Sequence, residues 1–160
     1  MGDTLAKIAR EKAGIIKPTV PVVIGEYHPE TAPVFESVAQ ENNSCITFAS
    51  RLYHVSSDTN WFEDFSILNA ENTHIFQAHS GLHGAYQAKN IATVYAAVQE
   101  LKKTFTIPIA AIKRGYKNVV ANTNLIGRWQ IISQKPLVIC ASAQLKTALF
   151  RLAISLRLRL

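Results

Sequence analysis

The stretch from Pro21 to Ala49, PVVIGEYHPETAPVFESVAQENNSCITFA, decides the fold class. It opens with a short β-branched run bounded by proline and glycine, which is typical of a buried strand. A helix that starts near Pro29 is expected next, because its apolar residues recur at helical spacing. These residues are Val34, Phe35, Val38 and Ala39. A second strand-like run, CITFA, follows, and the order strand, helix, strand with short links predicts a βαβ unit with parallel pairing.

The residues before this unit predict a helix that ends near Gly14. Asp3 or Thr4 can cap its start, and the stretch REKAGIIKP from Arg10 to Pro18 ends it. Gly14 suits a position just after a helix, and the proline forbids continuation.

The rest of the chain predicts a mixture of strands and helices. Residues 60–82 alternate loosely and predict a pair of antiparallel strands. Residues 84–103 and 107–119 have helical periodicity, whereas 127–132 and 136–142 are strand-like. The tail LKTALFRLAISLRLRL, residues 145–160, starts like a helix and ends like a strand, and this conflict argues against a well-specified structure.

Composition bounds the class of protein. The chain has 160 residues, of which 48% are hydrophobic and 18% charged, so one domain or parts of two can bury a core. No apolar run is long enough to span a bilayer, and the N-terminus carries no secretory signal, so we expect a cytoplasmic protein. Cys45 and Cys140 lie far apart within apolar runs and are expected to be buried, reduced thiols.

The net charge of +6 is unevenly placed along the chain. Four cations and no acid follow Leu145: Lys146, Arg151, Arg157 and Arg159. The excess of basic over acidic residues therefore lies mainly in the tail rather than in the preceding residues. We expect no nucleic-acid or membrane partner.

The stretch HSGLHG contains His79 and His83, which are four residues apart. That spacing would suit a metal on a helix, but Gly81 and Gly84 make a helix unfavourable there, so a polar loop is the preferred interpretation. The sequence contains no glycine-rich phosphate-binding loop, no H-E-x-x-H and no paired C-x-x-C.

Three ordered stretches resemble one enzyme family. MGDTLAKIAREKAGIIKPTVPVVIGE is similar to LGDTxxxIAxEKAGIIKPGxPVV of folylpolyglutamate synthases and dihydrofolate synthases, which are ATP-dependent amide ligases of the Mur ligase superfamily. GLHGAYQAKNIATVYAAV resembles the helix start LxGxHQxxNAxxAxxA, and LIGRWQIISQKPLVIC resembles the junction PGRxQxxxxxPxxIxDxAHN. His83 or Gln87 stands near the HQ pair, and the spacing does not decide between them.

The resemblance implies a reaction. ATP phosphorylates a carboxylate of folate or dihydropteroate, or of its glutamate tail, and the amine of L-glutamate attacks the acyl phosphate. Magnesium ions offset the charge of the phosphates. A monomeric parent enzyme is expected.

The resemblance also implies site residues. Lys12 matches the lysine that is typically carbamylated and then helps to hold Mg²⁺, since a carbamate supplies the oxygen ligands that a hard cation needs. Its alternative is an ordinary cation at a helix end. Asn90 matches a nucleotide contact, or is a helix N-cap. Arg128 matches the junction arginine that reaches the ATP phosphates, or is a solvated linker residue.

The implied fold is α/β, the second half of a Mur-ligase-type ATPase domain: a mostly parallel sheet with flanking helices and an antiparallel strand pair. Residues 1–124 would form part of the central ATP-binding domain and 125–135 the interdomain junction. Residues 136–160 would start the C-terminal domain, with a basic tail from about residue 141 that departs from the family.

The departures limit what this chain is expected to do. The family's P-loop GTNGKGS should precede LGDT, and its DxAHN is replaced by Ala-Ser-Ala-Gln-Leu from Ala141. A reading-frame shift near codon 141 in a gene also missing its start is one hypothesis; a deliberate domain or an internal-start gene model is the alternative. We expect the isolated chain to be catalytically inactive and marginally stable or prone to aggregation.

Two other functions stay open on the sequence. One is a part of another Mur-type amide ligase, although EKAGIIKP and GRWQ favour the folate branch. The other is a non-enzymatic module that binds acidic surfaces through its basic tail.

Overall fold

The computed structural model describes residues 3–60, 62–123, 125, 130–134, 137–141 and 152–155. The first βαβ region comprises α1 (Leu5–Ala13), β1 (Val22–Ile24), α2 (Ala32–Glu41), β2 (Ile46–Phe48) and α3 (Ala49–Leu52). The middle of the chain comprises β3 (Tyr53–Ser56), β4 (Asp64–Asn69), β5 (His74–His79), α4 (Gln87–Lys102), α5 (Ile109–Lys117) and α6 (Val119–Thr123). The last elements are β6 (Gln130–Gln134), β7 (Leu137–Ala141) and β8 (Leu152–Ser155).

Three sheets are formed by the described strands. β1 pairs with β2 in parallel, which confirms the predicted βαβ unit. β3, β4 and β5 form an antiparallel sheet in that order, and β6, β7 and β8 form another. The predicted α/β class, with parallel strands, flanking helices and antiparallel strands, is confirmed.

The first helix begins and ends where the sequence predicts. The Thr4 hydroxyl accepts a hydrogen bond from the backbone N–H of Lys7 at 3.3 Å, so Thr4 is the N-cap. Gly14 follows the last helical residue, Ala13. Ala13 and Ile16 pack against Val38 of α2, and this contact joins α1 and α2 in a small core beside β1.

The larger core lies between the β3–β5 sheet and helices α4 and α5. Alternate residues of β4 and β5 face it, as the two-residue period of a strand requires. Its buried members are Phe65, Ile67, Phe76, Ala78, Ile91, Tyr95, Ile112 and Tyr116. Because α4 also contacts β1 and α3, it connects this core to the parallel strands.

Several expectations are corrected by the structure. β1 is half-buried rather than buried, because β2 is its only paired neighbour among the described strands. The second helix starts at Ala32, three residues after Pro29, with Pro33 in its first turn. Cys45 is exposed, since it precedes β2 instead of lying within it. The side chain of Cys140 lies outside the described part of the structure.

The tail contains a strand that the sequence did not predict at that place, β8, which pairs with β7. No helix within the described ranges combines the length and apolar character that crossing a membrane requires.

Candidate nucleotide site

The amino-terminal half of α4 lies against the loop that leaves β1. A Cβ atom on Gly25 would come within 2.7 Å of Thr93 Oγ1, so only glycine allows this close approach. Beside it, Lys89 Nζ lies 2.8 Å from Glu26 Oε2. The carboxyl end of a parallel strand is where α/β folds bind ligands, and Lys89 and Thr93 of α4 approach the loop at that end of β1.

Asn90 is the fourth residue of α4, because the N-cap of this helix is Tyr86. The alternative that Asn90 caps the helix is therefore wrong. Its exposed side chain is instead held by the helix surface: Asn90 Nδ2 donates a hydrogen bond to Gln87 Oε1 at 2.9 Å. Residues three apart on a helix are neighbours on one face, which explains the pairing.

A cavity of about 300 Å³ opens between α4 and α5. Its polar side chains are those of Ser80, Gln87 and Asn90, and its remaining walls are mostly apolar. The other lining residues are Leu82, Ile91, Val94, Val98, Ile107, Ala111, Ile112, Gly115, Tyr116 and Val119. An apolar slot of this size with a few polar groups is typical of a small-molecule site.

Tyr116 fixes the spacing of the two helices that form the cavity. Its hydroxyl donates a hydrogen bond to the backbone carbonyl of Ile91 at 2.9 Å, and its ring packs edge-on against Phe65. Burial raises the pKa of the Tyr116 phenol well above its usual range, and the nearby Tyr95 adds to the rise. Tyr116 is therefore a neutral hydrogen-bond donor at physiological pH.

Gly115 lies at the exposed rim of the cavity, within α5. A Cβ atom built there would meet no heavy atom within 4 Å. The absence of a side chain at this position therefore leaves the cavity open and is not required by backbone crowding.

Lys12 lies in the last turn of α1, and its side chain is exposed. A cation at this end of a helix interacts favourably with the helix dipole. Within the ranges that the structure describes, no three His, Cys, Asp or Glu side chains come together as a metal site. The described residues therefore do not assemble a magnesium site around Lys12.

The two histidines of the HSGLHG stretch each approach a different carboxylate. His79 Nδ1 lies 3.1 Å from Asp64 Oδ1, and His83 Nδ1 lies 3.5 Å from Glu63 Oε1. Neither histidine belongs to a group of three or more potential metal ligands among the described residues. Arg128, the third predicted site residue, lies outside the described residues.

Comparison with known proteins finds relatives in one enzyme family. A probable dihydrofolate synthetase of Schizosaccharomyces pombe is 29% identical over 119 residues, which are 74% of this chain and 27% of the relative. A folylpolyglutamate synthase of Thermotoga maritima superposes with a TM-score of 0.71 and 24% identity, over 89% of this chain and 33% of that structure. A folylpolyglutamate synthase complex with AMPPCP and folate gives a TM-score of 0.69 at 27% identity, over 89% of this chain and 34% of that chain.

The resemblance to folylpolyglutamate and dihydrofolate synthases is confirmed. This chain spans about a quarter of the length of the curated relative and about a third of the solved structures. No family model matches the chain. The fold of this chain is thus similar to part of the folylpolyglutamate synthase fold, and one of those solved structures is a complex with AMPPCP and folate.

Neither the cavity nor the role of Gln87 was predicted from the sequence. The three-residue spacing between Gln87 and Asn90 is visible in the sequence and places both amides on one helical face. The cavity is not visible there, because it depends on how far α5 stands from α4.

Proposed function

We propose that this chain forms part of the nucleotide-binding domain of an ATP-dependent ligase that joins L-glutamate to dihydropteroate or to a folate. The apolar cavity with Asn90 at its rim carries the proposal. It lies at the position where the family resemblance implies a nucleotide contact, and the relatives are named for this activity. The proposed enzyme acts as a cytoplasmic monomer.

The cavity suits the adenine base of ATP. Its apolar walls can pack against both faces of a flat ring, and about 300 Å³ is enough for a purine. The amide of Asn90 offers a donor and an acceptor side by side, which is the pattern that adenine N7 and N6 require. ATP would supply the phosphoryl group that activates the carboxylate.

Lys12 is proposed as the carbamylated lysine of the intact ligase. Its exposed position leaves the amine open to CO₂, and the carbamate would supply oxygen atoms to a cation. A single such group does not make a magnesium site, so the proposal requires further ligands in the intact ligase. Arg128 is proposed to reach the phosphates from the junction, residues 125–135.

The proposed domain division rests on the family resemblance, and β6, which pairs with β7, falls within the junction of residues 125–135. Residues 1–124 contain the two sheets that flank α4 and are assigned to the ATP-binding domain. Residues 136–160 contain β7 and β8 and are assigned to the C-terminal domain, with the basic tail from about residue 141.

A segment exchange tests the proposed function. The 119-residue segment of the Schizosaccharomyces pombe protein that aligns with this chain is replaced by the matching residues of this chain. ATP-dependent attachment of labelled L-glutamate to dihydropteroate and to a folate is then measured in the purified hybrid. We expect activity above that of an empty-vector preparation, and the preferred acceptor indicates which reaction the parent performs.

Lys12→Ala in the hybrid should lower the rate by about a hundredfold or more, the loss typical when a charge-stabilising group is removed. Lys17→Ala, an exposed lysine five residues later, is the matched control and should leave the rate unchanged. A folded hybrid with a cooperative melt but no glutamate attachment would contradict the proposal.

A further inference from the structure

The hydrogen bond between Gln87 and Asn90 determines which atoms of the Asn90 amide are left to contact a ligand. Gln87 is only 2% exposed, and its Oε1 accepts the hydrogen bond from Asn90 Nδ2 at 2.9 Å. The oxygen and the nitrogen of an amide branch from the same carbon, and the nitrogen carries two hydrogens. Because one hydrogen of Asn90 Nδ2 is bound to Gln87, the other hydrogen and the Oδ1 atom are available to one edge of a ligand.

We infer that Gln87 is a positioning residue that makes the base site select adenine over 6-oxopurines. This inference rests on the proposed function, since it assigns a specificity to the same nucleotide site. Gln87 acts through Asn90 and need not touch the base.

The chemistry of the purine edge gives the direction of the selection. Adenine carries a 6-amino group that donates and an N7 that accepts. Asn90 Oδ1 accepts from the amino group, and the second hydrogen of Nδ2 donates to N7 while the first stays on Gln87. In hypoxanthine and guanine the 6-position is an oxygen, which would face Oδ1 and leave two acceptors opposed.

The burial of Gln87 makes a reversal of Asn90 alone costly. For Asn90 to offer its nitrogen to a 6-oxo group, its oxygen would turn toward Gln87 Oε1. Two acceptors would then face each other, and the buried one, on Gln87, would be left without a hydrogen-bond donor. Only a coordinated turn of both amides avoids that cost.

Adenosine and inosine form the matched pair of probes, because they differ in the 6-substituent and the proton on N1. Both lack phosphates, so their binding does not depend on a phosphate-binding loop. The full 160-residue chain, labelled with ¹⁵N, is titrated with each nucleoside, and the dissociation constants are taken from amide shifts. The variants are Gln87→Met, Gln87→Glu, Asn90→Ala and the double variant Gln87→Met with Asn90→Ala.

Each variant has a different expected result. The unmodified chain should bind adenosine about tenfold more tightly than inosine, which corresponds to one good bidentate contact. Gln87→Met keeps the volume but removes the acceptor, and the ratio should fall toward one. Gln87→Glu, when its carboxylate is ionised, offers oxygens that only accept, so the ratio should be retained at neutral pH. In the Asn90→Ala background, Gln87→Met should have no further effect.

Three results would overturn the inference. The first is an unchanged adenosine-to-inosine ratio in Gln87→Met while Asn90→Ala abolishes it. The second is a loss of the ratio in Gln87→Glu when its spectrum keeps the dispersion of a folded chain. The third is no saturable binding of either nucleoside to the folded chain, which contradicts the proposed nucleotide site itself and is thereby distinguished from the other two.

Discussion

Replacement of Gly115 should stabilise the chain and, with a large side chain, close the cavity. Gly115 lies within α5, and a Cβ atom there meets no heavy atom within 4 Å, so alanine introduces no clash. Alanine is about 1 kcal/mol more favourable than glycine inside a helix. For a chain of this size, 1 kcal/mol corresponds to a rise in Tm of about 2–4 °C. Gly115→Ala should therefore unfold at a higher temperature, as followed by circular dichroism at 222 nm.

Gly115→Leu should keep most of that gain, because leucine is also a strong helix former. Its side chain extends from the rim of the cavity, where a purine would enter. Adenosine affinity should fall at least about tenfold, because a blocked base cannot form a bidentate hydrogen-bonded pair, which is worth about that factor. Arg114→Leu is the matched control, since this exposed neighbour on α5 does not line the cavity. It should leave adenosine binding unchanged. A lower Tm for Gly115→Ala, or normal adenosine binding by Gly115→Leu, would refute this account of the helix and the cavity.

Three further predictions concern stability. Tyr116→Phe removes the hydrogen bond to Ile91 and should lower the free energy of unfolding by about 1 kcal/mol at pH 7. Burial keeps the pKa of Tyr116 in the folded chain above its usual value of 10.0. Above pH 10 the unfolded state therefore releases the proton first, and the free energy of unfolding of the unmodified chain should fall as the pH rises. Urea unfolding between about pH 8 and pH 11 should show a weaker pH dependence in Tyr116→Phe, and an equal dependence in both chains would contradict the assignment. Phe65→Ala, at a position that is 1% exposed, should lower the free energy of unfolding by about 3–5 kcal/mol. Ile75→Ala, on the exposed face of β5, should lower it by less than about 1 kcal/mol. Equal losses in the two variants would contradict the assignment of the core. Lys89→Met breaks an exposed ion pair with Glu26 and should lower the free energy of unfolding by at most about 1 kcal/mol, and by less at high salt. A loss above about 2 kcal/mol would mean that this ion pair, rather than packing, holds α4 to the loop after β1.

The local elements could be predicted from the sequence because their signals are local. Thr4 and Gly14 mark the ends of α1, and the β-branched runs mark β1 and β2. The antiparallel pair β4–β5 was also expected from its alternation, although β3 was not. The sequence of β3, YHVS, is too short to show a period, and it becomes a strand only by pairing with β4.

The tertiary environment was harder to predict. Cys45 belongs to an apolar run, yet it is exposed because the strand starts one residue later, at Ile46. Asn90 is a residue type that favours the N-cap, but α4 begins about one turn earlier, at Gln87. There, Gly84 has a positive φ of 112°, and its carbonyl accepts a hydrogen bond from the backbone N–H of Gln87. Neither outcome is decided by the few residues around the position.

The candidate site also contains residues that the sequence predicted and a cavity that it did not. Lys12 and Asn90 were found by motif resemblance, which transfers roles but not contacts. The bond from Asn90 to Gln87 follows from helical spacing once the helix boundary is known. The cavity follows only from the packing of α4 against α5, which Tyr116 fixes from 25 residues away along the chain.

The proposed base site is tested by titration of the ¹⁵N-labelled chain with adenosine, with the side-chain amide signals of Asn90 and Gln87 followed individually. We expect saturable shifts of both signals and of backbone amides along α4 and α5 that line the cavity. A folded chain in which these signals stay unchanged, or in which saturable shifts occur only at residues remote from the cavity, would contradict the claim.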